Sequence, residues 1–148
     1  MPTSKQVLGA WGEKLVAKHC PCPKCKREGT LARLPANFKC ADLICDFCGY
    51  LAQVKTMSVK SITPFPKQIL GAAWGPQEAR MKVGVYFPLF LVLKALSEHA
   101  VFYLPTDLQT EELFQPRKAL SAVAKRAGWR GFMYNLSAVP IGGFVKVL

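Results

Sequence analysis

Residues 20–57 read CPCPKCKREGTLARLPANFKCADLICDFCGYLAQVKTM and hold all six cysteines of the chain. Two hooks stand out, Cys22-Pro-Lys-Cys25 and Cys45-Asp-Phe-Cys48, with nineteen residues between them. A Cys-x-x-Cys turn aims two thiolates at one point, and two such turns complete a tetrahedral four-sulfur shell of the kind zinc prefers. Four protein ligands leave no open coordination position, so the expected zinc is structural rather than catalytic. Cys20 and Cys40 are left over. Cys40 reads as a small core residue, and Cys20 with His19 lies beside the first hook as a spare ligand or a buried thiol.

Polar residues bracket the second hook. Asp42 lies three residues before Cys45, and Gln53-Val-Lys55 follows Cys48. Eleven positions separate Asp42 from Gln53, which is room for two antiparallel strands, Asn37–Ile44 and Gly49–Met57, with the hook as their turn. Side chains alternate along a strand, so Gln53 and Lys55 share a face. An acid facing an acid-or-amide, x, lysine triplet on the next strand is the layout of the PD-(D/E)xK nucleases. Carboxylate and amide oxygens suit magnesium or manganese beside a scissile phosphate, and a lysine ammonium can orient the attacking water. The spacing predicts that the zinc hook pins the two strands that carry these groups.

The remainder of the chain frames this block. Residues 4–19 place Val7, Leu8, Trp11, Leu15 and Val16 at helical spacing, with Ser4 as N-cap. Residues 58–80 read mostly as a loop with a short helix at Lys67–Trp74. Strands are expected at Val83–Leu93 and Ala100–Leu104, a helical turn from Thr110 to Phe114, a helix over 117–127 and a terminal strand at Phe144–Leu148. The expected fold is a single α/β domain over 1–148, with a central mixed sheet of four or five strands flanked by helices and a zinc site inserted at 20–48.

Composition narrows the partner. Twenty Lys and Arg against nine Asp and Glu give a net charge of +11, spread over both halves of the chain. Such a field favours a polyanion, and nucleic acid is the commonest one. The longest apolar run, Val83–Leu93, contains Gly84 and Pro88 and is far short of the ~20 residues of a membrane span. With no signal-type segment at the N-terminus, the expectation is a cytoplasmic protein whose thiols bind metal rather than form disulfides.

These blocks resemble the DpnI-like methyl-directed restriction endonucleases of the PD-(D/E)xK superfamily. That family carries a Cys-Pro-x-Cys hook, an Ala-Asp-x-x-Cys-x-x-Cys segment and a Glu-x-Lys triplet at matching spacing. Downstream, Arg117-Lys118-Ala119-Leu120, then Ala124-Lys125-Arg126-Ala127-Gly128-Trp129-Arg130-Gly131, then Asn135-Leu136-Ser137-Ala138-Val139-Pro140 are similar to a second block of the same family. The resemblance implies a restriction-endonuclease-like PD-(D/E)xK core that cuts duplex DNA with magnesium at sites carrying N6-methyladenine. It makes Asp42 the first metal-binding acid and Lys55 the catalytic lysine. It also places Trp129 as the reader of the methyl group, with Lys118, Lys125, Arg126 and Arg130 around it on the DNA.

Two departures stand out. Gln53 occupies the position where the family has glutamate, and an uncharged amide should hold the metal less tightly. Gly9-Ala-Trp-Gly-Glu13 is similar to the Gly-x-x-x-Glu of resolvase-like members of the superfamily, which offers Glu13 as a compensating ligand. The family also continues into a winged helix, and this chain ends at Leu148, so specificity is expected to come from a homodimer or a partner subunit. The competing reading is a catalytically inactive zinc-containing DNA-binding module. A zinc ribbon that binds RNA or protein explains less, because it leaves the acid–lysine spacing without a role.

Overall fold

The computed structural model describes residues 2–35, 38, 41–115, 122 and 129–148, with residues 72–76, 129 and 130 described in backbone only. Helix α1 spans Ser4–His19, as the periodicity predicts. Its cap is Thr3 rather than Ser4. The Thr3 hydroxyl accepts the Gln6 N–H at 3.2 Å and the Gln6 side chain accepts the Thr3 N–H at 2.8 Å, a reciprocal box that satisfies two end donors. Val16 is fully buried, and Trp11 and Leu15 pack beside it, whereas Val7 is 56 % exposed and lies off the buried face.

The central sheet has six strands, β1 (Leu31–Arg33), β2 (Leu43–Cys45), β3 (Leu51–Ser58), β5 (Leu89–Lys94), β6 (His99–Leu104) and β9 (Val145–Lys146). They lie in the order β1-β2-β3-β5-β6-β9. The β3–β5 pair is parallel and the others are antiparallel, so the sheet is mixed as expected but larger than the predicted four or five strands. A second, antiparallel sheet holds β4 (Gln68–Trp74), β8 (Trp129–Asn135) and β7 (Phe114–Gln115) in the order β4-β8-β7. Helix α2, Gly75–Lys82, follows β4 directly.

These elements form three layers. Strand β5 is buried on both faces, as its continuous apolar run Leu89–Leu93 requires. Phe90 and Val92 join Val16, Leu43 and Ala52 in a core under α1, while Leu89, Leu91 and Leu93 join Ile69, Phe132 and Tyr134 in a core under the small sheet. On β3, Ala52 and Val54 face the α1 core and Met57 faces the other, which puts Gln53 and Lys55 on the side of the small sheet.

Several elements differ from expectation. The stretch Lys67–Trp74, read as a helix, is strand β4, because its Gly-Ala-Ala sequence pairs along its length with β8. Gly71 is needed there: a Cβ would lie 2.7–2.8 Å from the rings of Tyr134 and Phe132. Residues 83–88 are not strand. Gly84 turns the chain with φ +84°, and Val83 and Val85 are 76 % and 50 % exposed. Within Asn37–Ile44 the described strand begins at Leu43. Residues 111–113 form a 3-10 turn that Thr110 precedes without a side-chain cap. The terminal strand is shorter than Phe144–Leu148, and the predicted helix 117–127 lies, apart from helical Ala122, outside the described residues.

Candidate active site and metal centre

The two hooks close on each other. The sulfurs of Cys22, Cys25, Cys45 and Cys48 all lie within 4.8 Å of one another. Cys22 Sγ is 3.6 Å from Cys48 Sγ, and Cys25 Sγ is 3.7 Å from Cys45 Sγ. A tetrahedron with zinc–sulfur bonds near 2.3 Å has edges of about 3.8 Å, whereas a disulfide would bring two sulfurs to about 2 Å. The set therefore fits a structural metal such as zinc.

Each hook is built by the same local geometry. In the first, the Lys26 N–H returns to the Cys22 carbonyl at 2.9 Å, and Lys26 adopts a left-handed φ of 64°. In the second, the Gly49 N–H returns to the Cys45 carbonyl at 2.9 Å, and Gly49 adopts φ 78°. The left-handed residue follows the second cysteine in both. Glycine takes that conformation at no steric cost and lysine does not. The Asp46 N–H also donates to the Thr30 carbonyl at 2.8 Å, which ties the second hook to the segment leading into β1. Burial acts to raise the Cys45 thiol, but its hydrogen bond with the Thr30 hydroxyl and those with the backbone amides of Cys48 and Phe47 outweigh it and bring Cys45 to about 6. Burial moves Cys22 the other way, to about 11. Cys20 is buried and free, outside the four-sulfur cluster, and burial raises it also. Cys40 lies outside the described residues.

The second hook is the turn of the β2–β3 pair, in which Leu43 faces Ala52 and Ile44 faces Leu51. Continuing that antiparallel register by one residue sets Asp42 opposite Gln53. The Asp42 N–H donates to the Ala52 carbonyl at 3.0 Å, and Asp42 Oδ2 accepts the Val54 N–H at 2.8 Å. Asp42, just before β2 begins, thus lies opposite Gln53, and Lys55 is near enough to act on its charge.

Burial pushes the Asp42 carboxyl up to about 6, against the lowering effect of the Val54 hydrogen bond. The Glu13 carboxylate raises it further, and the Lys55 and Arg33 cations lower it. Glu13 reaches this neighbourhood from α1 and is ion-paired there, with Arg33 Nε 3.2 Å from its Oε1. Two carboxylates that repel each other are a pair that a hard divalent cation would stabilise.

Two further residues interact with the charge of Asp42. The pairing of Arg33 with Glu13 depends on how α1 crosses β1, which local spacing does not show. Tyr134, on β8, is buried and raised by burial and by the charge of Asp42. Nothing in its sequence context signals that a strand some ninety residues downstream returns to the site. Trp129 and Arg130, expected at a helix end, instead open strand β8. Lys118, Lys125 and Arg126 lie outside the described residues.

A hook pair that could hold a metal thus stands beside an acid and a lysine on a mixed α/β sheet. The chain belongs to the DpnI Dam-replacing family, whose model matches residues 3–148. Membership implies a restriction-type nuclease with DNA as its partner. No curated protein matches the chain. Among the described residues no helix is long and apolar enough to cross a membrane.

Proposed function

We propose that this protein is a metal-dependent PD-(D/E)xK endonuclease that hydrolyses phosphodiester bonds of duplex DNA at sites carrying N6-methyladenine. The observation that carries the reading is the tie between Asp42 and the strand of Lys55, closed at one end by the cysteine hook. Asp42 and Gln53 are the proposed magnesium ligands, with Glu13 as a further oxygen donor. Magnesium or manganese bound there would neutralise charge at the scissile phosphate and acidify a water.

The chain's own groups do the rest. Asp42 must be ionised to hold a cation, and its buried setting delays this until the pH passes about 6. The Lys55 ammonium orients the attacking water and balances charge as the phosphate gains it. Arg33 holds the Glu13 carboxylate on the α1 side of the site. Zinc in the hooks stays out of the reaction and sets the register of the two strands. The basic residues around Trp129 are the proposed contacts to the methylated duplex, binding phosphates and reading the base.

An inactive DNA-binding module is the second reading, favoured by one observation: Gln53 in place of the family's glutamate. Cleavage of adenine-methylated and unmethylated plasmids with magnesium or manganese decides between them. Cutting of the methylated plasmid is expected. Binding of both plasmids with no cutting of either establishes the module instead.

A further inference from the structure

Among the described residues, β2 covers the edge of β3 only at Leu51 and Ala52. Beyond that point the edge from Val54 to Ser58 lines a groove of about 500 Å³, with α1 as one wall and β4 as the other. Lys55 stands at the end nearest Asp42, and Lys5 reaches in from the first turn of α1. A second stretch of about 490 Å³ shares Lys5 and Ser58 with the first and ends at Trp11 and Lys94. The two adjoin at Lys5, Leu8 and Ser58, so that together they run from Lys55 across the start of α1. No carboxylate is among the described residues that line either stretch.

Three further features suit a phosphate backbone. Gly9 lines the wall, and a Cβ there would meet nothing within 4 Å, so the wall stands back where a sugar would pass. The Lys94 ammonium sits 5.3 Å from the centre of the Trp11 ring, and the ring meets His99 edge-on on another side, so the cation at the far end has a fixed support. Strand β3 rises about 10 Å from Lys55 to Ser58, at about 3.3 Å per residue. That length matches about three nucleotides of one strand in duplex DNA.

We propose that this groove is a phosphate track for one DNA strand, holding the nucleotides to one side of the scissile phosphate through Lys5 and Lys94. The proposal rests on the nuclease reading above, and it names contacts that reading does not require. In this arrangement the chain binds the cut strand along its first helix, at the opposite end of β3 from the zinc hooks. Both lysines contribute salt-dependent affinity and no base specificity.

The test measures binding of a fluorescent methylated duplex at a series of salt concentrations, for the full chain, Lys5→Ala, Lys94→Gln, the double variant and a Lys146→Ala control on β9. The expected result is a loss of about 0.9 from the slope of log affinity against log salt for each single variant, about 1.8 for the double, and no change for Lys146→Ala. A duplex with a methylphosphonate within about three nucleotides of the cut should weaken binding of the wild-type chain and leave the double variant unaffected. Lys5 lies in an exposed first turn, so its variant folds even if Lys94→Gln disturbs Trp11. A wild-type chain that binds and cuts while Lys5→Ala keeps the full slope overturns the track alone. A wild-type chain that neither binds nor cuts DNA overturns the nuclease reading and the track together.

Discussion

The Val54 N–H donates to Asp42 Oδ2 at 2.8 Å, so the acid of one strand is tied to the strand that carries Gln53 and Lys55. The same backbone pair is closed at its other end by the Cys45–Cys48 turn. Position and charge of the site therefore depend on one hairpin, and whatever strengthens or loosens that hairpin acts on the site.

Asp42 weakens the fold that holds it. The unfolded carboxyl ionises near 3.8 and the folded one near 6, so the native state keeps a proton that the unfolded chain releases. That preference is fully present below about pH 4 and is lost as the pH rises through about 6. The full gap corresponds to about 3 kcal/mol, and partial contact with solvent reduces it to roughly 1–2 kcal/mol. Urea unfolding without added magnesium should show wild-type stability falling from pH 4 to pH 7 relative to Asp42→Asn. At pH 7 the variant should be the more stable protein and should have lost cleavage. Equal stability of the two at every pH contradicts the buried setting of this acid.

Glu13 and Arg33 should move the acidic limb of the pH–activity profile in opposite directions. Glu13→Gln removes a charge that raises Asp42, so the limb should move to lower pH; Arg33→Ala removes one that lowers it, so the limb should rise. Both variants also break the ion pair, so a lower stability common to the two is expected. Limbs that stay together would separate Glu13 from the site.

Two glycines one turn apart on α1 should respond oppositely to alanine. Gly9 faces open space, so Gly9→Ala should stabilise the helix by about 0.5–1 kcal/mol. Gly12 packs on β3 so closely that a Cβ would overlap the Thr56 hydroxyl and lie 3.0 Å from Thr56 Cβ, an atom that the pairing of Thr56 with Val92 holds in place. Gly12→Ala should cost about 1–3 kcal/mol. Thermal melts of the two variants check the pair directly.

How far these features were legible in the sequence depends on how local their causes are. Helix α1 and the β2–β3 hairpin were readable because short-range spacing of apolar residues and cysteines sets them. Strand β4 was not. Its Gly-Ala-Ala run carries helix-forming alanines, and its strand state comes from pairing with β8 some sixty residues away. For the same reason Tyr134 and the wall of the groove were hidden, since both require the small sheet to fold back over β3. The apolar run from Val83 misled in the other direction, because Gly84 turns the chain before the strand begins.

The hooks give a test of the metal centre that does not involve DNA. Lys26 holds the conformation that Gly49 holds in the partner hook, at a cost of about 1 kcal/mol for a side chain with a Cβ. Lys26→Gly should therefore raise the melting temperature, and elemental analysis should still find one zinc per chain. Cys48→Ser should lower both zinc content and melting temperature and reduce cleavage, because the turn that aligns Asp42 with Gln53 loosens. Full cleavage by a zinc-free protein contradicts the role given to the hooks.

The most direct measurement of the central claim is cleavage of a methylated plasmid by the wild-type chain, Asp42→Ala and Lys55→Ala in magnesium, with DNA binding measured on the same samples. The account predicts that the wild type cuts and that both variants bind DNA without cutting it. Cutting by either variant at the wild-type rate would contradict the assignment of this acid and this lysine to the reaction.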